Sequence, residues 1–396
     1  MQNRGHNRKK EEYFMNRHVC FYVPRHVLEN IARYRALEER GDVSEIRRSI
    51  EISEAMRQKR RQSAEESLTP SVPGPHGLQP GARGPTSQQP GSPGPTSLQP
   101  GGSVAVAGIV TIPRPDTHAR LIYDDHNQFN FDVDDVRNEG DPAVLQENAN
   151  LAYDSLGAAL EFYRDLLGRD SLNNLGLNLN ANVNYDVNYN NAFWDGTRMV
   201  FGNGDNVIFR DLTNDVDVAG HELTHGVTQY TAGLLYTDQP GAMNEATSDI
   251  FGACIDARVQ GQDAGEFNWL IGEDIMAPGL FGEALRSMAN PGTAYDNPIL
   301  GKDPQPATMA GYVPGGNPHL NSGIINRWFY LMAIDLGMDA AARIWYATLQ
   351  NLWSTAQFAD AAAVAAAQAR ILARAGTVPR RAPQTVRATA TAQGII

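Results

Sequence analysis

The run HELTH, His221 to His225, places two histidines and a glutamate at a spacing that can build a metal site. On a helix, residues four apart share a face, so His221 and His225 can reach one ion while Glu222 stands beside it. Two imidazoles suit zinc, and a carboxylate next to the metal but not bound to it suits general acid–base work. HExxH arises by chance in roughly one chain of this length in a hundred, so its surroundings must decide between a zinc site and two core histidines satisfied by hydrogen bonds.

Those surroundings are helical. Val216, Val218 and Ala219 precede the motif, and Leu223, Val227 and Tyr230 continue an apolar pattern that predicts a buried helix to about Gly233. A third histidine six residues after His225 is excluded, because that position is Thr231. After a turn-like segment at Asp238 to Gly241, MNEATSDIFGACIDA reads as a second helix with Glu245 and Asp249 four apart on one face. Glu245 can complete a His, His, Glu zinc sphere with water in the fourth position, and Asp249 can take an N–H from a ligating imidazole.

The sequence resembles the thermolysin family of zinc metalloproteases, through six blocks in family order. They are NAFWDG from Asn191, DVAGHELTHGVTQYTAGLLY from Asp217, GAMNEATSDIFG from Gly241, IGEDI from Ile271, LRSM from Leu285 and HLNSGIIN from His319. The likeness spans roughly residues 116 to 375 and implies an α+β, two-lobed fold. A β-rich N-terminal lobe is expected over 104–240 and a mostly helical C-terminal lobe over 241–378, with zinc in the cleft between them, while the Arg-, Ala- and Thr-rich composition of 379–396 reads as a disordered tail.

The resemblance also implies roles. One zinc ion on His221, His225 and Glu245 would polarise a peptide carbonyl and activate a water, with Glu222 as the base that passes the proton to the leaving amine. Tyr236 and His319 match the family's oxyanion donors. Asn191 and Ala192 match the edge segment that holds an extended peptide, and Arg286 the guanidinium that holds its carbonyl. Phe209, Leu212, Val218, Ile271 and Leu285 match an apolar pocket for the residue after the cut, favouring Leu, Ile, Val or Phe.

Two departures stand out. Pro314 occupies the place of a loop Asp five residues before His319, so the acceptor that orients this histidine is unassigned, and His319 reads as a loop residue. Of the family's calcium ligands, one position is Leu270 and another the neutral Asn268, which leaves Asp217, Asp256 and Glu273 for at most one calcium ion.

Composition fits this reading. A chain of 396 residues that is 42% hydrophobic can bury two cores. It has no apolar run of membrane-spanning length, and MQNRGHNRKKEEYFMNR lacks a signal-peptide core, so secretion is expected only from the resemblance, with the cytoplasm until release as the alternative. The only cysteines, Cys20 and Cys254, imply no disulfide framework. Residues 1–68 carry 15 basic against 11 acidic residues, which leaves 18 against 34 for the rest, so front and body should attract. The front lacks any nucleic-acid recognition motif.

Residues 69–103 hold a Pro/Gly/Ser-rich decapeptide repeat, QPGARGPTSQ then QPGSPGPTSL, that reads as a linker. Before it, HVCFYVPRHVLENIARY and DVSEIRRSIEISEAMRQKRRQ predict a short strand and two helices, the second capped by Asp42 with Glu45. Cys20, Pro24 and Val27 to Ile31 resemble the short propeptides of the protealysin-like branch. The expectation is a monomeric precursor of a zinc endopeptidase acting on proteins and peptides, with residues 1–68 as its own intramolecular inhibitor. Cys20 reads as a buried apolar residue, with zinc ligation as the rival role. The different-class alternative is a catalytically weak zinc-fold protein that binds partners through its N-terminal segment and Pro-rich arm.

Overall fold

The computed structural model describes residues 20–38, 43–68 and 119–396. The repeat at 69–103, the capping Asp42 and residues 1–19 and 104–118 lie outside the described residues.

The front segment contributes a strand, β1 (Cys20–Phe21), and two helices, α1 (Arg25–Glu38) and α2 (Ser44–Leu68). The body continues with β2 (Arg120–Asp124), β3 (Asp134–Asn138), α3 (Glu147–Glu161), β4 (Leu179–Val183), β5 (Ala192–Trp194) and β6 (Met199–Phe201). These strands form a six-stranded sheet in the order β1-β5-β6-β4-β2-β3, so the front segment supplies an edge. β4 pairs in parallel with β2 and β6, and the other pairings are antiparallel. The strands are short because Asn and Asp punctuate them: Asn184, Asp186, Asn188 and Asn206 all take positive φ, which these side chains tolerate better than branched ones.

Helices α4 (Val216–Gln229) and α5 (Asp238–Gln260) follow. Asp215 caps α4 by accepting the N–H of Asp217 at 3.0 Å. The helix stops at Gln229, short of Gly233, because Gly233 takes φ +59° and returns its N–H to the Thr228 carbonyl at 2.8 Å. The segment expected to turn at Asp238 to Gly241 is instead the first turn of α5, where Pro240 loses nothing by lacking an N–H. A lobe boundary at 240/241 would therefore cut a helix.

Two short strands, β7 (Leu270–Ile271) and β8 (Arg286–Ser287), pair antiparallel beyond α5. The second lobe is then built from α6 (Pro318–Leu336), α7 (Met338–Leu349), α8 (Phe358–Arg374) and α9 (Ala382–Ala392). Helix α9 corrects the expectation of a disordered tail at 379–396. Its Thr385, Val386 and Ala390 are buried, and Trp328 Nε1 donates to Thr389 Oγ1 at 3.0 Å. The small Ala and Thr side chains that looked like weak signal let it lie close against α6. The outcome is a two-lobed α+β fold, with α4 packed against β5 on one side and α5 on the other. Among the described residues no helix is long and apolar enough to cross a membrane.

Candidate metal centre

Helices α4 and α5 bring together the residues that the spacing singled out. His221 Nε2 and His225 Nε2 face each other at 3.0 Å. The Glu245 oxygens lie 3.5 Å from His221 Nε2 and 3.7 Å from His225 Nε2. Ligand atoms around tetrahedral zinc stand about 3.3 Å apart when the bonds are near 2.0–2.1 Å, so this buried donor set fits a zinc ion. The backs of both rings are held. His221 Nδ1 lies 2.8 Å from Asp249 Oδ1, and His225 Nδ1 lies 2.9 Å from Asn244 Oδ1, which leaves both Nε2 atoms for a metal.

Asp249 anchors this arrangement. It accepts from Arg286 Nε at 2.9 Å and Nη2 at 2.8 Å, and from Asn326 Nδ2 at 2.8 Å. Burial works against its charge, but Arg286 and His221 hold its carboxyl down to about 2. It is therefore an anion that fixes the His221 tautomer by accepting from Nδ1. Burial likewise opposes ionisation of Glu245, yet the neighbouring His319 and His225 keep it well below the usual carboxylate range.

Glu222 is fully buried beside the two histidines. Its Oε2 accepts the Trp194 N–H at 2.9 Å, and its Oε1 has no hydrogen-bond partner among the described residues. Burial raises its carboxyl to about 8, with the Glu245 charge adding and His221 opposing. A cation at the histidines would pull it back down. His319 is not in a loop: it is the second residue of α6, 2% exposed, below the capping Asn317. Its Nδ1 lies 2.7 Å from Glu245 Oε2, and its Nε2 lies 3.2 Å from the Tyr236 hydroxyl, which itself donates to Glu245.

The cleft beside these groups is lined by the front segment. β1 pairs with β5 in the register Cys20 to Trp194 and Phe21 to Phe193, and Tyr22 N donates to the Ala192 carbonyl at 3.1 Å. Asn191 grips Val23 twice: its Oδ1 accepts the Val23 N–H at 2.8 Å, and its Nδ2 donates to the Val23 carbonyl at 3.2 Å. Arg286 Nη1 donates to the Tyr22 carbonyl at 3.3 Å. The edge residues and the guanidinium expected to hold a peptide thus hold this chain's own backbone. Arg286 also makes a buried ion pair with Asp249, 2.8 Å from Nη2 to Oδ1.

Phe209, Leu212, Val218, Ile271 and Leu285 are all buried. The Tyr22 ring, also buried, stands edge-on to His221 at 5.2 Å, and its hydroxyl donates to Asp217 Oδ1. Gly272 is needed behind it: with φ +74°, any Cβ there would come within 3.0 Å of that hydroxyl. The other oxygen of Asp217 accepts the Gly272 N–H at 2.8 Å. Asp215, Asp217 and Asp256 crowd together here, and burial first, then the Asp217 charge, pushes Asp256 up to about 7. Glu273 accepts from Asn268 Nδ2 at 2.6 Å.

Sequence reasoning missed Asn244, Asn326 and Tyr22. The first was findable, since a ligating imidazole needs an acceptor at Nδ1 and Asn244 adjoins Glu245. Tyr22 carried no local signal, because its partners lie almost two hundred residues away.

Residues 114–229 match the family description "Thermolysin metallopeptidase, catalytic domain", and residues 232–388 match "Thermolysin metallopeptidase, alpha-helical domain". The chain is 45% identical to an extracellular metalloprotease of Pectobacterium carotovorum, over 60% of this chain and 73% of that protein. It is 38% identical to bacillolysin of Bacillus cereus over 54% of this chain, but spans only 40% of that relative. The solved precursor of protealysin, a metalloproteinase from Serratia proteamaculans, superposes with a TM-score of 0.67 at 43% identity, covering 70% of this chain and 88% of that one. With both domain descriptions matched in order and the His, His, Glu donor set assembled, the chain belongs to the thermolysin family of zinc metalloendopeptidases.

Proposed function

We propose that this chain is the latent precursor of an endopeptidase, with the front segment lying in the cleft as its own inhibitor. The observation that carries the reading is the backbone grip on Tyr22 and Val23 by Ala192, Asn191 and Arg286, the groups assigned to substrate. Bound zinc supplies Lewis acidity and brings the pKa of a water near neutrality. Glu222 takes the proton from that water during attack, since its Oε1 points to no other group among the described residues, and passes it to the leaving amine. Tyr236 and His319 donate to the developing oxyanion once substrate draws them from Glu245. Arg286 positions the peptide carbonyl while Asp249 holds it rigid.

Phe209, Leu212, Val218, Ile271 and Leu285 favour an apolar residue after the cut, and Asp217 at the far end extends that preference to Tyr. Calcium remains at most one ion on Asp217, Asp256 and Glu273; these three do not form a metal-capable group among the described residues, and Asp217 already accepts two bonds. The precursor acts outside the cell after release, a reading supported by the name of the Pectobacterium relative.

The test compares the intact chain with the chain cut in its linker, on an unstructured protein substrate with zinc present. Cutting should release hydrolysis, and Glu222→Gln should abolish it while zinc stays bound. Equal hydrolysis before and after cutting would remove latency; none in either form would leave the partner-binding alternative standing.

A further inference from the structure

We infer that Cys20 is a fourth zinc ligand in the latent chain, its thiolate occupying the coordination position that the enzyme needs for chemistry. The inference rests on the zinc reading of His221, His225 and Glu245. Cys20 is 1% exposed, and its Sγ, a ring nitrogen of His225 and a carboxylate oxygen of Glu245 all lie within 4.8 Å of one another.

Strand geometry produces this placement. Successive residues of β1 point to opposite faces. Phe21 joins an aromatic cluster with Tyr185, Tyr189 and Phe193, so Cys20 and Tyr22 face the other way, toward His225 and His221. The pairing of Cys20 with Trp194 sets how far along the cleft the sulfur sits.

The ordinary explanation for a buried cysteine is that it fills space as a small hydrophobe. Cys254 shows what that looks like in this chain. It is equally buried, it lies on α5 within the main core, and burial with the Asp339 charge pushes its thiol well above the ordinary value. It joins no metal-capable group among the described residues. Cys20 has the same exposure and the opposite surroundings.

Zinc with three protein ligands keeps an open position, and zinc with four is closed and structural. Ligation by Cys20 breaks the S–H bond, forms an S–Zn bond and expels the water, which carries the proton away to buffer; no electrons are transferred. The same step explains why a strand gripped in the manner proposed for substrate would persist uncut: the water that would attack it has no place on the metal.

The test uses the full chain with Glu222→Gln, which keeps it intact, loaded with Co2+ as the sole metal. An intense near-ultraviolet thiolate-to-cobalt band is expected. Cys20→Ser added to this background should lose that band and keep the weaker visible cobalt bands, whereas Cys254→Ser should keep both. Visible bands without the sulfur band, or a sulfur band that survives Cys20→Ser, would overturn the inference. Loss of all cobalt bands in every variant would overturn the zinc reading and this inference with it. If Cys20→Ser fails to show a cooperative melt, X-ray absorption of the zinc-loaded Glu222→Gln chain decides: a sulfur shell at about 2.3 Å supports the ligand, and only nitrogen and oxygen near 2.0–2.1 Å refute it.

Discussion

The metal-binding wall and the docked front segment meet in one cleft but are held by different kinds of contact. On the wall, buried polar atoms are tied to one another. Asp249 alone joins His221, Arg286 and Asn326, and Asn244 steadies His225. The front segment is held by a set of separate contacts: two strand residues, the Asn191 and Arg286 bonds to its backbone, the Tyr22 side chain, ion pairs from Arg35 to Asp205 and from Arg48 to Asp186, and Val23, Val27, Leu28 and Ile31 packed into the shared core. A buried network resists piecemeal loosening because each lost bond strands another polar group. Separable contacts permit departure. The body therefore sets the ligand geometry, and the front segment lies over it.

The largest effect should come from breaking the wall. Asp249→Ala leaves the Arg286 guanidinium buried without its carboxylate and His221 without its acceptor, a loss of about 3–5 kcal/mol. Chemical denaturation should show that loss, and competition against a chelator should show zinc held roughly 10–100-fold more weakly. An unchanged midpoint would mean that the network is not what holds the wall. Next comes Tyr22→Ala, which empties a fully buried aromatic site and strands Asp217 Oδ1, weakening docking by about 3 kcal/mol while leaving the wall intact. In a Glu222→Gln chain cut in its linker, gel filtration should find the front segment released; continued co-elution would argue that β1 and the helices suffice. Tyr22→Phe keeps the ring and should cost only about 1 kcal/mol.

The same contrast explains what could be read in advance. His221, His225, Glu245 and Asp249 were legible because helical periodicity converts spacing into proximity, and α4 and α5 are consecutive. The two lobes were legible from blocks of pattern. The short strand before α1 was legible as an apolar run, but its place was not, since a two-residue strand has no periodicity and its register with β5 is set by Asn191 and Ala192 far along the chain. Composition misled in one place. The Arg-, Ala- and Thr-rich end looked too polar and too small to order, but α9 packs precisely because Thr389 and Ala390 bring it close to Trp328 and its neighbours.

Smaller effects separate the two ion pairs of the front segment. The Arg35 and Asp205 side chains are only 8% and 3% exposed, so Arg35→Ala should weaken docking measurably. Asp205 still accepts from the backbone N–H groups of Val207 at 2.9 Å and Ile208 at 2.8 Å, which limits the loss to about 1–2 kcal/mol. Arg48 is 55% exposed although Asp186, which it holds through both oxygens, is only 2% exposed, so Arg48→Ala should cost about 1 kcal/mol and part of that should be lost at high salt. Equal losses from both variants would mean that net charge, not burial, holds the front segment down.

A graded lever on the docked front segment is pH, through a histidine of its own. His26 on α1 sits with Nε2 2.9 Å from the Tyr295 hydroxyl. Burial first, then the charges of His319 and Arg286, lowers its pKa to about 4, against a smaller upward pull from Glu29. A histidine depressed in the docked state favours docking when neutral. That contribution is complete above the undocked value near 6.5 and is lost as pH falls toward about 4. From pH 6.5 to 5.5 the front segment of the cut Glu222→Gln chain should loosen by a factor of a few, approaching about tenfold per unit below that. His26→Gln, which can still meet the Tyr295 hydroxyl but cannot charge, should flatten this dependence. If the slope survives that substitution, acid loosening must arise from other groups in the cleft, and His26 is only packing.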